Sequence, residues 1–91
     1  MSDEPVIPTI TNNGDRPETL IEQIAEAHSA LNGAGNALAM MTPNGRNYIG
    51  EPEKFTAARR QHDARRQAVN DILRDLEKIV RGIRKQKRGA L

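Results

Sequence analysis

Two polar residues in the second half of the chain have the types and the spacing to bind an anion. His62 and Arg65 are three residues apart, and both occupy inward positions of a seven-residue apolar repeat. They would face residues 33–35, Gly-Ala-Gly, where two mid-helix glycines cost stability and leave space. One interpretation is a small polar cavity for an anionic ligand. The other, which we favour, is close helix approach, with Arg65 extending to solvent and His62 bonding locally.

A polar loop supplies the second group of candidate ligand-binding residues. Segment 42–50 reads TPNGRNYIG, and Pro-Asn-Gly is typical of a turn. The candidates are an arginine, two amides and the only tyrosine of the chain: Asn44, Arg46, Asn47 and Tyr48. Such a tip could hold a phosphate or stack a base. Equally, Tyr48 and Ile49 could simply cap the open end of a helical hairpin by covering apolar residues there.

Basic residues recur on the expected outer face of the second helix and continue into the C-terminal tail. The candidates for nucleic-acid binding are Arg60, Arg74, Arg81, Arg84, Lys85, Lys87 and Arg88. A polyanion could lie along such a stripe, with an affinity that falls steeply as salt rises. Asp63, Asp71 and Asp75 dilute the positive charge, and no aromatic residue interleaves with it. We therefore favour a solvated face and keep nucleic-acid binding as an alternative function.

The residue types present argue against catalysis and against a bound metal. The chain has no cysteine, which excludes disulfides, cysteine-ligated zinc and a thiol nucleophile. His28 and His62 are expected to lie about six residues apart along a hairpin, roughly 9 Å of helix axis, so they cannot share a metal. The chain contains no P-loop, Rossmann glycine pattern or HExxH motif. We expect a protein that is not an enzyme and has no cofactor.

Charge is distributed unevenly between the two halves of the chain. Residues 1–50 contain two basic and six acidic residues, whereas residues 51–91 contain twelve basic and six acidic ones. The opposite charges could draw the chain back on itself or attract a second copy. No stretch has the roughly 20 apolar residues of a membrane span. No secretory signal is recognisable either, so we expect a soluble, cytoplasmic protein without a membrane partner.

The spacing of apolar residues predicts an all-α fold with two helices. We expect an extended arm over 1–14, helix 1 over about 15–41, a loop over 42–50, helix 2 over about 51–86 and a basic, fraying tail over 87–91. Asp15 and Glu18 have the spacing of a capping box, with Pro17 in the first turn. The repeat of helix 1 is Leu20, Ile24, Ala27, Leu31, Ala34, Leu38 and Met41. That of helix 2 is Phe55, Ala58, His62, Arg65, Val69, Ile72, Leu76, Ile79 and Ile83.

Two such helices joined by a short loop predict an antiparallel, coiled-coil-like hairpin. If Met41 lies opposite Phe55, the numbers of paired residues sum to about 96. Ile79 and Ile83 then project beyond the start of helix 1. The apolar arm residues that could cover them are Val6, Ile7 and Ile10. We favour an arm that packs on its own helices over one that reaches a neighbouring subunit, and we expect Gly82 only to weaken helix 2 by roughly 1 kcal/mol.

Two helices cannot enclose a core, because each buries one stripe and leaves its flanks in water. Ile21, Leu73 and Val80 lie beside the repeats and need a further partner, so we expect a homo-oligomer such as a four-helix dimer. The expected function is a small non-catalytic binding or inhibitor protein, a kind frequent among phage and mobile-element accessory proteins. It would occupy the surface of a partner protein or sequester an anionic small molecule. A purely structural oligomerisation module is the remaining alternative.

Overall fold

The chain folds into two long helices that lie side by side and antiparallel. The computed structural model describes residues 4–89. Helix α1 spans Pro17–Met40, a short 3-10 helix spans Gly45–Asn47, and helix α2 spans Pro52–Gly89. The molecule measures 64 × 24 × 18 Å, and residues 4–89 contain no strand. The all-α fold class and the helical hairpin are therefore confirmed.

The start of α1 differs from the expected capping box. Its N-cap is Arg16, which makes no side-chain hydrogen bond to the helix, and Pro17 follows in the first turn. Glu18 does not reach back to the cap, because its carboxylate instead pairs with Lys87 of α2 at 2.9 Å. At the other end, the carbonyl oxygen of Ala39 accepts from both the Thr42 backbone N–H at 3.3 Å and the Thr42 hydroxyl at 2.7 Å, which closes the last turn.

Helix α2 continues further than expected. It begins directly after Glu51, and the preceding Gly50 has a φ of 76°, which glycine adopts without strain. Residues 87–89, expected to fray, remain helical, and the pair between Lys87 and Glu18 ties this last stretch to α1. The rest of the expected tail, residues 90–91, lies outside the described residues.

The expected register of the hairpin is wrong by about eight residues. Three side-chain pairs fix the register. Glu18–Lys87 and His28–Glu77 join α1 to α2, and Thr42–His62 joins the loop to α2. Their numbers sum to 104 or 105 rather than to 96. Ile83 therefore does not project past α1 but lies beside its first turns, where it is the one fully buried apolar side chain among residues 4–89. The first turns of α2, residues 52–61, project beyond α1 instead.

The loop accounts for this register. It does not close tightly from Met41 to Phe55 but runs back along the projecting turns of α2. Tyr48 packs on Phe55, with ring centroids 5.6 Å apart, and Thr42 reaches His62. The loop thus covers the part of α2 that was expected to face α1.

The buried faces of both helices are rotated slightly from the expected repeats. Ala27 and Ala34 are exposed, whereas Ile21, His28 and Gly35 are half-buried. Isoleucine and histidine remove more apolar surface from water than alanine does, so α1 turns these side chains toward α2. Further differences are the exposure of Met41 at 65% and of Ile72 at 46%.

The N-terminal arm runs alongside α2 and is held mainly by one glutamine. The Gln86 amide nitrogen donates to the carbonyl oxygen of Pro8 at 2.7 Å, and its amide oxygen accepts from the Ile10 backbone N–H at 3.0 Å. Ile7 lies directly against Gly82. The arm therefore packs on its own helix, as favoured, although Val6 is 89% exposed and covers nothing.

Candidate functional site

Of the four loop candidates, two make contacts that stabilise the loop and two have side chains exposed to solvent. The Asn44 side-chain oxygen accepts the Arg46 backbone N–H at 2.9 Å and caps the 3-10 helix. The half-buried Tyr48 ring packs on Phe55. Arg46 and Asn47 are exposed. The covering role expected of Ile49 is wrong, because that side chain is 81% exposed.

Phe55 is the centre of a small stack at this end of the molecule. Tyr48 packs on it at an interplanar angle of 31°, and the Arg59 guanidinium carbon lies 5.6 Å from the ring centroid. A cation at this distance from an aromatic ring is attracted to its face. Gly45 also borders the ring, with space for an added Cβ at 3.6 Å from Phe55. The stack holds the loop on the projecting turns of α2.

The polar cavity considered for His62 and Arg65 does not form. His62 is 2% exposed, whereas Arg65 is exposed, so the two side chains are not brought together. The observed register sets His62 opposite Thr42. It also sets Gly35 against Val69, whose side chain would lie 3.7 Å from a Cβ added at the glycine. Arg65 and Arg66 lie roughly 50° to either side of the buried line of α2, and both are exposed.

His62 has a structural role at the loop. Its Nε2 lies 3.4 Å from the Thr42 hydroxyl oxygen. Because the single proton of that hydroxyl is donated to Ala39, this contact is a hydrogen bond in the tautomer that carries its proton on Nε2 of His62. The buried imidazole thus ties the end of α1 to α2, which agrees with the favoured, local interpretation of this residue.

An apolar groove between the helices is a feature that the sequence indicates only in part, through Ile21 and Val80 beside the repeats. It encloses about 380 Å³ on one flank of the hairpin. Its apolar lining is Ile21, Ile24, Ala25, Leu76 and Val80, and its polar lining is His28, Ser29, Glu77, Arg81 and Arg84. We call this surface the hairpin groove. The signal that could have located it is the register, since both sides of the groove are known only once the helices are aligned.

A histidine–carboxylate pair crosses the hairpin groove. Nε2 of His28 lies 2.9 Å from a carboxylate oxygen of Glu77, and the two side chains are 36% and 50% exposed. The contact is a hydrogen bond when the imidazole is neutral and an ion pair when it is protonated. Residues 4–89 contain no cluster of three histidine, aspartate or glutamate side chains that could hold a metal.

The arm and the hairpin groove lie on opposite flanks of the hairpin. The arm contacts Gly82, whereas Arg84 lines the groove. These residues are two apart, and at about 100° per residue they point in nearly opposite directions from the α2 axis. One flank is therefore covered by the chain itself and the other is open.

The seven basic candidates do not form one uniform stripe. Arg74 pairs with Asp71 at 3.7 Å, and Arg60 borders a shallow hollow with Glu53 at the far end of α2. The remaining five surround a second, larger hollow of about 590 Å³: Arg81, Arg84, Lys85, Lys87 and Arg88. We call this surface the basic hollow. It shares Arg81 and Arg84 with the hairpin groove.

One cation of the basic hollow, Lys87, forms an ion pair with Glu18 of α1. A hydrogen bond from the Lys87 ammonium to Glu18 lowers the pKa of that carboxyl below its ordinary value, and a backbone hydrogen bond at Glu18 acts in the same direction. Both side chains are about half exposed. The pair neutralises one of the five cations.

A scan against protein-family models, a search of curated proteins and a search of solved structures each gave no match. Within residues 4–89, neither α1 nor α2 has a long enough apolar stretch to cross a bilayer.

Proposed function

We propose that the protein is a small non-catalytic binding protein whose working form is a homodimer, with the hairpin groove of each copy packed on the other. The observation that carries this proposal is the unfinished core. Among residues 4–89 only one apolar side chain, Ile83, is fully buried, although both helices turn apolar residues toward one another. A single hairpin leaves most of that stripe partly in contact with water.

The exposed area supports a partner of the size of a second copy. The accessible surface is 7240 Å². A compact protein of 10.1 kDa would expose about 5,300 Å². The excess of roughly 1,900 Å² exceeds the approximately 800 Å² that each partner buries in a standard stable interface. A second hairpin on the open flank would cover the apolar lining of the groove.

Charge favours a second copy as that partner. Helix α1 carries three carboxylates and no lysine or arginine, whereas α2 carries twelve lysines and arginines against five carboxylates. In a four-helix bundle with its two-fold axis along the bundle, α1 of one copy neighbours α2 of the other and runs antiparallel to it. The acidic helix then meets a basic helix at both new contacts. The loop end stays free to contact a further partner.

The test compares two alanines of α1 that are both exposed but lie on different flanks. Ala25 lines the hairpin groove, whereas Ala30 faces away from it. We expect light scattering and sedimentation equilibrium to give the wild type about twice the mass of one chain. Ala25→Lys should weaken the dimer at least about tenfold, because it places a cation in the apolar contact and beside the basic α2 of the other copy. Ala30→Lys should leave it unchanged.

Each outcome decides between the alternatives. A wild type that stays monomeric over about a hundredfold range of concentration contradicts the dimer. A dimer that tolerates Ala25→Lys as well as Ala30→Lys contradicts the use of the hairpin groove. A dimer with the expected response that binds no other molecule in its biological setting would be the purely structural oligomerisation module.

A further inference from the structure

The last two turns of α2 carry the densest positive charge of the molecule. Five of the eight residues in segment 81–88 are lysine or arginine, and none is acidic. These five side chains surround the basic hollow, whose volume of about 590 Å³ lies in the roughly 300–1,000 Å³ range of sites for small molecules. Positive charge is therefore concentrated around a concave surface, rather than spread along the helix.

Most of this charge is not neutralised within residues 4–89. Lys87 is paired with Glu18, but within residues 4–89 no carboxylate lies within ion-pair distance of the other four cations. Helix α1 contains two further carboxylates that could neutralise these cations. Its Glu22 and Glu26 are exposed, however, and make no ion pair in the described part of the chain.

The helix dipole accounts for only part of the cluster. Cations are stabilised in the last turn of a helix, where the free carbonyls concentrate negative potential, and Lys87 and Arg88 occupy that turn. The effect falls off within one turn, so it does not account for Arg81 and Arg84. These two arginines repel their neighbours without a partner in the described chain.

We propose that the basic hollow binds a run of phosphate groups. Arginine offers a planar fork of donors that matches two phosphate oxygens, and lysine adds a compact charge. Arg81, Arg84, Lys85 and Arg88 fall within roughly 100° of the α2 surface and span about 10 Å along its axis. That length accommodates two to three consecutive phosphates of a polyphosphate or of a single nucleic-acid strand.

Half of this site lies outside the proposed dimer contact. Lys85 and Arg88 border the basic hollow but do not line the hairpin groove, whereas Arg81 and Arg84 border both. Replacing Lys85 and Arg88 removes two cations that would face phosphates and leaves the apolar surface of the groove intact. The same change of net charge is available elsewhere on α2, because Arg65 and Arg66 are exposed and border neither surface.

The experiment measures binding of two probes, inorganic triphosphate by calorimetry and a labelled single-stranded thymidine oligonucleotide by fluorescence anisotropy. The wild type is compared with Lys85→Gln/Arg88→Gln and with the charge-matched Arg65→Gln/Arg66→Gln. At low salt we expect the first double variant to bind at least one probe about tenfold more weakly, and the second to bind like the wild type. For the oligonucleotide, the slope of log affinity against log salt should fall by about 1.4, which is 0.7 for each phosphate that is no longer neutralised.

The two probes identify the source of the phosphates. Tighter binding of triphosphate, at one per chain, supports a small polyphosphate ligand. Tighter binding of the oligonucleotide, with the steeper salt dependence, supports a nucleic-acid backbone. Equal weakening by both double variants would show attraction to net charge alone and would overturn the site, as would the absence of binding of either probe at low salt. Light scattering on the same samples reports separately on the dimer.

Discussion

Gly82 gives the sharpest test of how the arm packs. A Cβ added at this position would lie 2.7 Å and 2.9 Å from side-chain atoms of Ile7. Carbon atoms in contact normally lie about 3.5–4.0 Å apart, so Gly82→Ala has to displace the arm by roughly 1 Å. The hydrogen bonds of Gln86 to Pro8 and Ile10 hold the adjoining part of the arm, and their short range makes them sensitive to such a shift.

The expected free-energy change is the difference between two opposing effects. Alanine is more favourable than glycine in a helix interior by about 1 kcal/mol. Forcing an extra methyl into a closed contact costs about 1–3 kcal/mol. Gly82→Ala should therefore lower the free energy of unfolding by up to about 2 kcal/mol. The helical Gly33, with nothing within 4 Å of its added Cβ, should show the propensity gain alone, about 1 kcal/mol of stabilisation.

The assay is thermal and urea unfolding followed by far-ultraviolet circular dichroism, with all variants at one protein concentration, because self-association would add a concentration-dependent contribution. For a chain of this size 1 kcal/mol shifts Tm by about 4–8 °C, so the two alanine variants should differ by on the order of 10 °C. In an Ile7→Ala background the close approach is relieved, and Gly82→Ala should become stabilising.

Two results would refute this reasoning. If Gly82→Ala stabilises the protein as much as Gly33→Ala does, the arm does not lie against Gly82. If Gly82→Ala destabilises equally with and without Ile7, the cost arises within α2 and not at the arm.

Two further predictions concern single polar contacts. In Lys87→Gln the pKa of Glu18 should rise toward its ordinary value, as read from a carbon-detected NMR titration of the carboxyl group. In the wild type the lowered pKa stabilises the fold at pH values above the ordinary pKa, and that contribution is lost as pH falls through the lowered one; an unchanged titration in the variant would rule out Lys87 as the cause. Thr42→Val should lower the free energy of unfolding by about 1–3 kcal/mol, because it leaves the buried His62 N–H without an acceptor. Thr56→Val, which loses only an exposed hydroxyl bond to Pro52, should change it by less than about 0.5 kcal/mol, and equal losses in both would contradict the role of His62.

The helices could be predicted from the sequence because their signals are local. Pro17 and Pro52 mark the starts of α1 and α2, and Pro43 follows the end of α1, so the bounds differ from expectation by at most three residues. Helix α2 ends at Gly89, three residues beyond the expected position 86. The reason is that basic residues and a late glycine resemble a fraying tail until Glu18 is seen to pair with Lys87.

The register could not be predicted, because an apolar repeat of seven residues matches itself again after a slip of about one repeat. What decides between the alternatives is the loop, where Tyr48 packs on Phe55 and Thr42 reaches His62. Neither contact follows from periodicity. The full lining of the hairpin groove could not be predicted for the same reason, since His28 and Glu77 are 49 residues apart and meet only in the observed register.

Gly82 illustrates a different limit of sequence reasoning. Within α2 alone it is a weak helix former, and its expected effect was only a loss of stability. Its spatial role depends on the path of the arm, which has no periodic pattern and two prolines. The position of the loop between the helices could be predicted from its turn residues. Which of the loop candidates build the loop and which remain exposed depended on hydrogen bonds such as that between Asn44 and Arg46.

The route of the arm also sets an order of events in folding. Its bonds to Gln86 join residues 76 and 78 positions apart, whereas Thr42 and His62 are only 20 apart. Closing a longer loop costs more chain entropy, so the contacts near the loop can form first. The arm can pack only after the C-terminal part of α2 is folded. The arm should be the last segment to fold and the first to open. Its amide protons would then exchange with solvent through a local opening, well before the interior of α2 exchanges.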